Sequence, residues 1–201
     1  MKPKRNCGTC RECCIVLEVE PIGSPRDIPC TKLCAGGCGI YAERPESCKT
    51  FTCAWIEGMM SRSLQPNRTH MVIWSSKLLG AGSQDLPCVQ CNIGVGHKRN
   101  KKTMRHLMGF SFQYPVLVIQ SGRCELFKNG RTIAEWNEGD FLRFDYDGDE
   151  ITGAQVIPAD EVLDTAEKRA AWRKTQIENL EVVETDPKYR AEQIKRVEEL
   201  S

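Results

Sequence analysis

Twelve cysteines stand in 201 residues, and nine of them lie at or before Cys53. They form two blocks. The first is Cys7-Gly-Thr-Cys10-Arg-Glu-Cys13-Cys14; the second runs from Cys30 through Cys34, Cys38 and Cys48 to Cys53. The thiolate is a nucleophile and a soft metal ligand. In a reducing compartment, closely spaced cysteines are more often metal ligands or redox groups than structural disulfides. Two intervening residues let a turn bring both sulfurs onto one ion, at about 2.3 Å for zinc. Ligation converts thiols to thiolates, so metal holds these groups deprotonated at neutral pH. An even cysteine count also suits a secreted disulfide scaffold. Two features count against it: the adjacent Cys13 and Cys14, and the absence of an apolar stretch after the basic start Met1-Lys-Pro-Lys-Arg. The expected location is cytoplasmic.

The metal is zinc or an iron–sulfur cluster, and spacing leaves that choice open. Cys7, Cys10 and Cys13 match the first three ligands of a bacterial ferredoxin run. The fourth cysteine and its proline do not follow; Cys14 is succeeded by Ile15-Val16-Leu17 instead. Cys30, Cys34 and Cys38 are spaced one residue too widely for a radical-SAM triplet. A cluster drawing ligands from both blocks, two four-cysteine zinc sites, or one site with cysteines to spare all fit the count. In extended backbone, the side chains of Cys13 and Cys14 point to opposite sides, which places them in different ligand groups.

Around these cysteines the chain reads Cys38-Gly-Ile-Tyr41, Arg44-Pro45, Cys48 and Phe51-Thr-Cys53. With Cys7, Cys10, Cys13 and Cys14, this resembles the CxxCxxCC family of zinc- or iron-chelating cysteine-cluster proteins. The likeness continues more weakly through Trp55 and Gln65-Pro66-Asn67-Arg68. It implies metal chelation and no general activity. The candidate metal ligands are therefore Cys7, Cys10, Cys13, Cys14, Cys34, Cys38, Cys48 and Cys53, with Cys30 least certain. Pro45 fixes the turn leading to Cys48, and Arg44 can donate hydrogen bonds around the thiolates.

Other groups carry less. Cys88-Val-Gln-Cys91 with His97 reads equally as a partial zinc knuckle or as a loop with two free cysteines. Cys124 sits in a strand candidate and reads as a small core hydrophobe. Lys98, Arg99, Lys101, Lys102, Arg105 and His106 make a basic patch, but the net charge of only +1 argues against a general nucleic-acid binder. The acids Asp140, Asp145, Asp147, Asp149 and Glu150 lack EF-hand spacing and read as a polar loop between strands. No Gly-x-Ser-x-Gly, phosphate-binding loop or His-Glu-x-x-His occurs, and no run of about 18 apolar residues is present for a membrane span.

The elements that must position these groups make an α+β chain in three parts. Residues 1–58 form a small cysteine-rich module, rich in turn formers, that needs metal to fold. Residues 59–157 form a mixed β-rich region packing on it. Residues 158–201 form a helical extension, with Asp160 and Asp186-Pro187 as start signals. In the middle region, strands are expected at His70–Trp74 and Pro115–Gln120. The Asn129-Gly130 pair marks a hairpin joining Cys124–Lys128 to Thr132–Trp136. The composition of residues 80–96 favours a loop, and Lys98–Phe110 reads as a short basic helix. The resulting function is a metal-stabilised binding module that presents a surface to a protein partner. The alternative is an iron–sulfur or zinc enzyme or redox protein. His70, His97 and His106 are the three histidines and none lies within the cluster, which favours a closed thiolate site over catalytic zinc.

Overall fold

Asn129 and Gly130 have φ angles of 51° and 74°, the left-handed pair that a tight hairpin requires. They join β6 to β7 at one side of a five-stranded sheet. The computed structural model describes residues 5–79, 85–147 and 150–158, together with Lys174. The elements in chain order begin with a single helical turn α1 (Cys13–Val16), the two-residue strands β1 (Leu33–Cys34) and β2 (Gly37–Cys38), and α2 (Glu46–Thr50). Next come α3 (Pro66–Thr69), β3 (Met71–Leu79), β4 (Asp85–Ile93) and α4 (Lys101–Phe110). The chain then runs through β5 (Val116–Gln120), β6 (Arg123–Lys128), β7 (Arg131–Asn137), β8 (Phe141–Asp147) and β9 (Glu150–Ile157). The fold class is α+β. The expected C-terminal helices fall almost wholly outside the described residues.

The large sheet has the order β3-β4-β5-β6-β7, and β8 and β9 form a separate hairpin. All neighbours are antiparallel except β4 and β5. A parallel pair needs a crossover, and α4 supplies it. Asn100 caps that helix, its Oδ1 accepting from the amides of Lys102 at 3.1 Å and Thr103 at 3.0 Å. Thr103 and Leu107 are buried, and Met104, Met108 and Phe110 pack partly against the core, so one face of α4 covers the sheet.

Period-two alternation buries the sheet on both sides. Val116 and Val118 face Leu107, Ala54, Met60 and Leu64. Leu117 and Ile119 face the β8–β9 hairpin through Phe144 and Ile151. Asp145 and Asp147 therefore lie on strand β8, and Glu150 on β9, rather than in a loop. The β6–β7 turn is fastened to the end of α4: the Gly130 amide donates to Ser111 Oγ at 2.8 Å. A Cβ on Gly130 would stand 3.0 Å from the Phe112 ring.

One expectation is overturned. Residues 85–93 are a strand, not loop, and pair with β3 along their whole length. Pro87 lies within it and offers no backbone N–H. Before Val89, however, β4 has a neighbour on one side only, so the missing proline N–H costs no bond to β5. The expected boundary at residue 58 falls inside a stretch that serves the sheet. Ala54 is in the core, and its amide donates to the Ile73 carbonyl at 2.7 Å. No helix among the described residues is long and apolar enough to cross a membrane.

Candidate metal centre

Residues 5–53 contain almost no core. Within them only Glu12, Val16 and Ser24 are buried, and Val16 alone of these is apolar. The regular structure is one helical turn, a 3₁₀ turn at Glu20–Ile22, two strands of two residues and one five-residue helix. Local turns do the positioning. The Cys10 amide donates to the Cys7 carbonyl at 2.9 Å, closing the first Cys-x-x-Cys turn, and Cys13 and Cys14 open α1. In the second block Cys34 and Cys38 lie on the β1–β2 hairpin. Pro45, at the start of α2, accepts from the amides of Cys48 at 3.0 Å and Lys49 at 3.1 Å.

Between the blocks, the Cys30 amide donates to the Cys14 carbonyl at 2.8 Å. That bond folds the second block against the first. The thiols sort accordingly into two adjoining sets. Burial raises the Cys7 thiol, and the charges of Cys53, Cys10 and Cys14 raise it further. Burial also raises Cys10; backbone amides of Glu12 and Asn67 work against that, and Cys53 again adds to it. Cys48 is raised by burial and then by Cys14, Cys30 and Cys38. Cys7, Cys10 and Cys53 thus neighbour one another, with Cys13 beside them, and Cys30, Cys38 and Cys48 form a second group; Cys14 adjoins both.

One sequence expectation needs revision here. Cys13 and Cys14 are helical, not extended, and their thiols hydrogen-bond to each other. That bond raises Cys13, the proton-holding partner, and lowers Cys14; Arg11 and Arg44 also lower Cys14. Cys34 is exposed, as Cys7 is, and its thiol donates to the Gly37 carbonyl at 3.2 Å; Cys30 stands beside Cys48.

Among the described residues, no three cysteines, histidines or acids already stand close enough to hold a metal ion. The donor chemistry nevertheless suits a thiophilic metal. Arg11 and Arg44 flank Cys14, and the Nε of each is buried without a hydrogen-bond partner. Arg11 also donates to the Ala35 carbonyl, and the Arg44 guanidinium lies 4.1 Å from the centre of the Tyr41 ring. Two cations with unspent donors suit a thiolate set that carries negative charge. No family model matches the chain, and neither curated proteins nor solved structures provide a match.

The remaining candidates separate cleanly. Cys88 and Cys91 are buried in the two different cores, on opposite faces of β4, so they do not share an ion. Cys124 is buried as a core residue. Burial pushes Cys88 and Cys124 each up to about 11, and raises fully enclosed Cys91 further. The folded state then keeps three protons that the unfolded chain releases near the ordinary 9.0. This contribution to stability is complete below that value and is lost as pH rises through the folded values, at up to about 1.4 kcal/mol per thiol for each pH unit. Thermal melting should fall in that alkaline range, and Cys91→Ala should flatten the fall. An unchanged slope in the variant would discount the buried thiol.

Sequence reasoning missed the link that ties the first block to the sheet. Buried Glu12 meets His70 Nδ1 at 3.1 Å, and His70 stacks on His97 with ring centres 3.6 Å apart at 13°. Gly94 makes room: a Cβ there would stand 3.2 Å from His97 Cδ2 and 3.4 Å from Val16 Cγ1. The one available signal was Glu12, a lone acid between ligand candidates. Glu12→Ala should cost about 1 kcal/mol in a denaturant melt, since His70 is partly exposed, and Glu12→Gln should recover most of it by still accepting the bond. Equal losses in both variants would remove the hydrogen bond as the cause.

Proposed function

We propose that this chain is a metal-binding protein whose N-terminal block is folded by zinc or an iron–sulfur centre and then serves as a binding module. The observation that carries this reading is that residues 5–53 hold nine cysteines but one buried apolar side chain. A segment with so little core needs another source of order, and thiolate–metal bonds supply it. Cys7, Cys10, Cys13 and Cys53 would hold one centre, and Cys14, Cys30, Cys38 and Cys48 a second. The sulfurs of each set must draw together to do so, which the short elements between them allow. The bound group supplies folding energy and, if it is an iron–sulfur cluster, an electron site. The chain's own residues orient the thiols, and Arg11 and Arg44 balance their charge.

Likeness of the motif order to the CxxCxxCC family supports the same reading, as does the cysteine-rich block for a reducing, cytoplasmic setting. Anaerobic purification followed by metal analysis and an absorption spectrum tests it. A colourless protein with stoichiometric zinc supports a structural module. A brown protein absorbing near about 400 nm supports the iron–sulfur form. A folded, protease-resistant chain with neither metal would overturn the proposal.

A further inference from the structure

Beside the first thiol set lies a cavity of about 510 Å³ walled by Arg5, Asn6, Trp55, Arg62, Gln65 and Arg68. That volume is ordinary for a small-molecule site. Its lining is not ordinary, for three arginines stand in it and, among the described residues, no acid does. Arg5 is partly committed: it donates to the carbonyls of Trp55 at 2.8 Å and Met60 at 2.7 Å and lies over the Trp55 ring at 5.1 Å. Those bonds hold it in place and use one of its two terminal nitrogens. Arg62 and Arg68 are exposed and make no ion pair with an acid among the described residues. Ser63, also on the wall, accepts from Lys102 Nζ at 3.2 Å, which brings a fourth cation to the rim.

Chain position explains the gathering. Arg62 opens a 3₁₀ turn ending at Leu64, and Arg68 lies on α3. The buried Leu64, Pro66 and Thr69 anchor that stretch and leave the arginines outward. Unpaired like charges held near one another repel, an arrangement that a multiply charged anion relieves. Guanidinium forks match phosphate oxygens in particular, since two parallel N–H groups can engage two oxygens.

We propose that this pocket binds the phosphate or pyrophosphate group of a small molecule. The inference does not depend on a metal being bound, although the site adjoins one thiol set: Asn6 precedes Cys7, and Trp55 follows Cys53 by two residues. Arg99 is spent on Glu125, with Nη1 donating to Oε2 at 2.9 Å, and on Gln120 at 3.1 Å.

The test is calorimetric titration of the full chain, as purified, with inorganic pyrophosphate at low salt. A single saturable site is expected. Arg62→Gln with Arg68→Gln should weaken it at least about tenfold, because each bidentate contact is a strong one. Arg68→Lys, which keeps the charge but not the fork, should fall between Arg68→Gln and the unaltered chain. Arg123→Gln, exposed at the start of β6, should leave affinity unchanged. Melting temperature and metal content, measured on every variant, keep a folding defect from passing as lost binding; if the double variant melts early, the Arg68→Lys and Arg68→Gln pair decides. No saturable binding, equal affinity in all four variants, or equal binding of inorganic sulfate would overturn the proposal. So would tight binding of a single-stranded RNA that pyrophosphate fails to displace, since that ligand would not be a small phosphate compound.

Discussion

Stripping the metal with a strong chelator under reducing conditions should release residues 1–58 to proteolysis while the five-stranded sheet stays intact. The two regions differ in what holds them. Leu107, Val116, Val118 and Leu126 are fully enclosed around the sheet, whereas the block before Cys53 encloses Val16 alone among its apolar side chains. Structural zinc contributes roughly 10–16 kcal/mol in small finger peptides, as much as the whole stability of many domains. Nothing else in this block approaches that. Cleavage should therefore concentrate between Cys14 and Cys53 in the chelated sample and be suppressed in the untreated one. Equal resistance, with metal loss verified, would mean that the block folds on its own contacts.

Serine replacement of each N-terminal cysteine should sort into two classes. Cys7→Ser, Cys10→Ser and Cys53→Ser should each remove the same centre, and Cys14→Ser, Cys30→Ser, Cys38→Ser and Cys48→Ser the other. Each change then costs roughly half of the bound metal, since a closed site loses its affinity with one of four ligands gone. Cys34→Ser should retain the full complement, because that thiol is bonded to the Gly37 carbonyl. Cys13→Ser should track the first class, although its hydrogen bond to Cys14 also lets it disturb the second. Metal content and spectrum, read together, report the classes. If Cys34→Ser were as damaging as Cys48→Ser, or if every variant lost all metal, the two-set arrangement would be wrong. A peptide of the first block that held the full complement alone would be equally fatal to it.

Much of the middle fold is legible before any coordinates. Asn129-Gly130 dictates its turn through the φ angles only such residues accept readily, and the β-branched run from Val116 to Ile119 is a strand whichever face it buries. Asn100 and the spacing of Met104, Leu107 and Met108 announce α4. What stays hidden depends on partners distant in sequence. The status of Pro87 depends on where β5 begins, and no local pattern shows that. Cys30 and Cys34 look alike in spacing; the bond from the Cys30 amide to Cys14 and that from the Cys34 thiol to Gly37 set them apart. Glu12 and His70 are 58 positions apart, and nothing in either neighbourhood names the other. The cationic pocket likewise draws on Arg5 and on the 62–68 stretch, two basic positions that look unremarkable in the linear chain.

The bond from the Ala54 amide to the Ile73 carbonyl lies one residue beyond Cys53. β3 is the outermost strand of its sheet on that side, and β4 occupies only its inner flank. An open flank offers unpaired amides and carbonyls to any passing chain, which is the usual origin of strand-to-strand aggregation. Here the peptide segment that emerges from the thiol sets covers part of that flank. If metal tethers Cys53 as proposed, it guards that strand edge as well as the block's shape, and a chain starved of metal would bare the flank this segment shields.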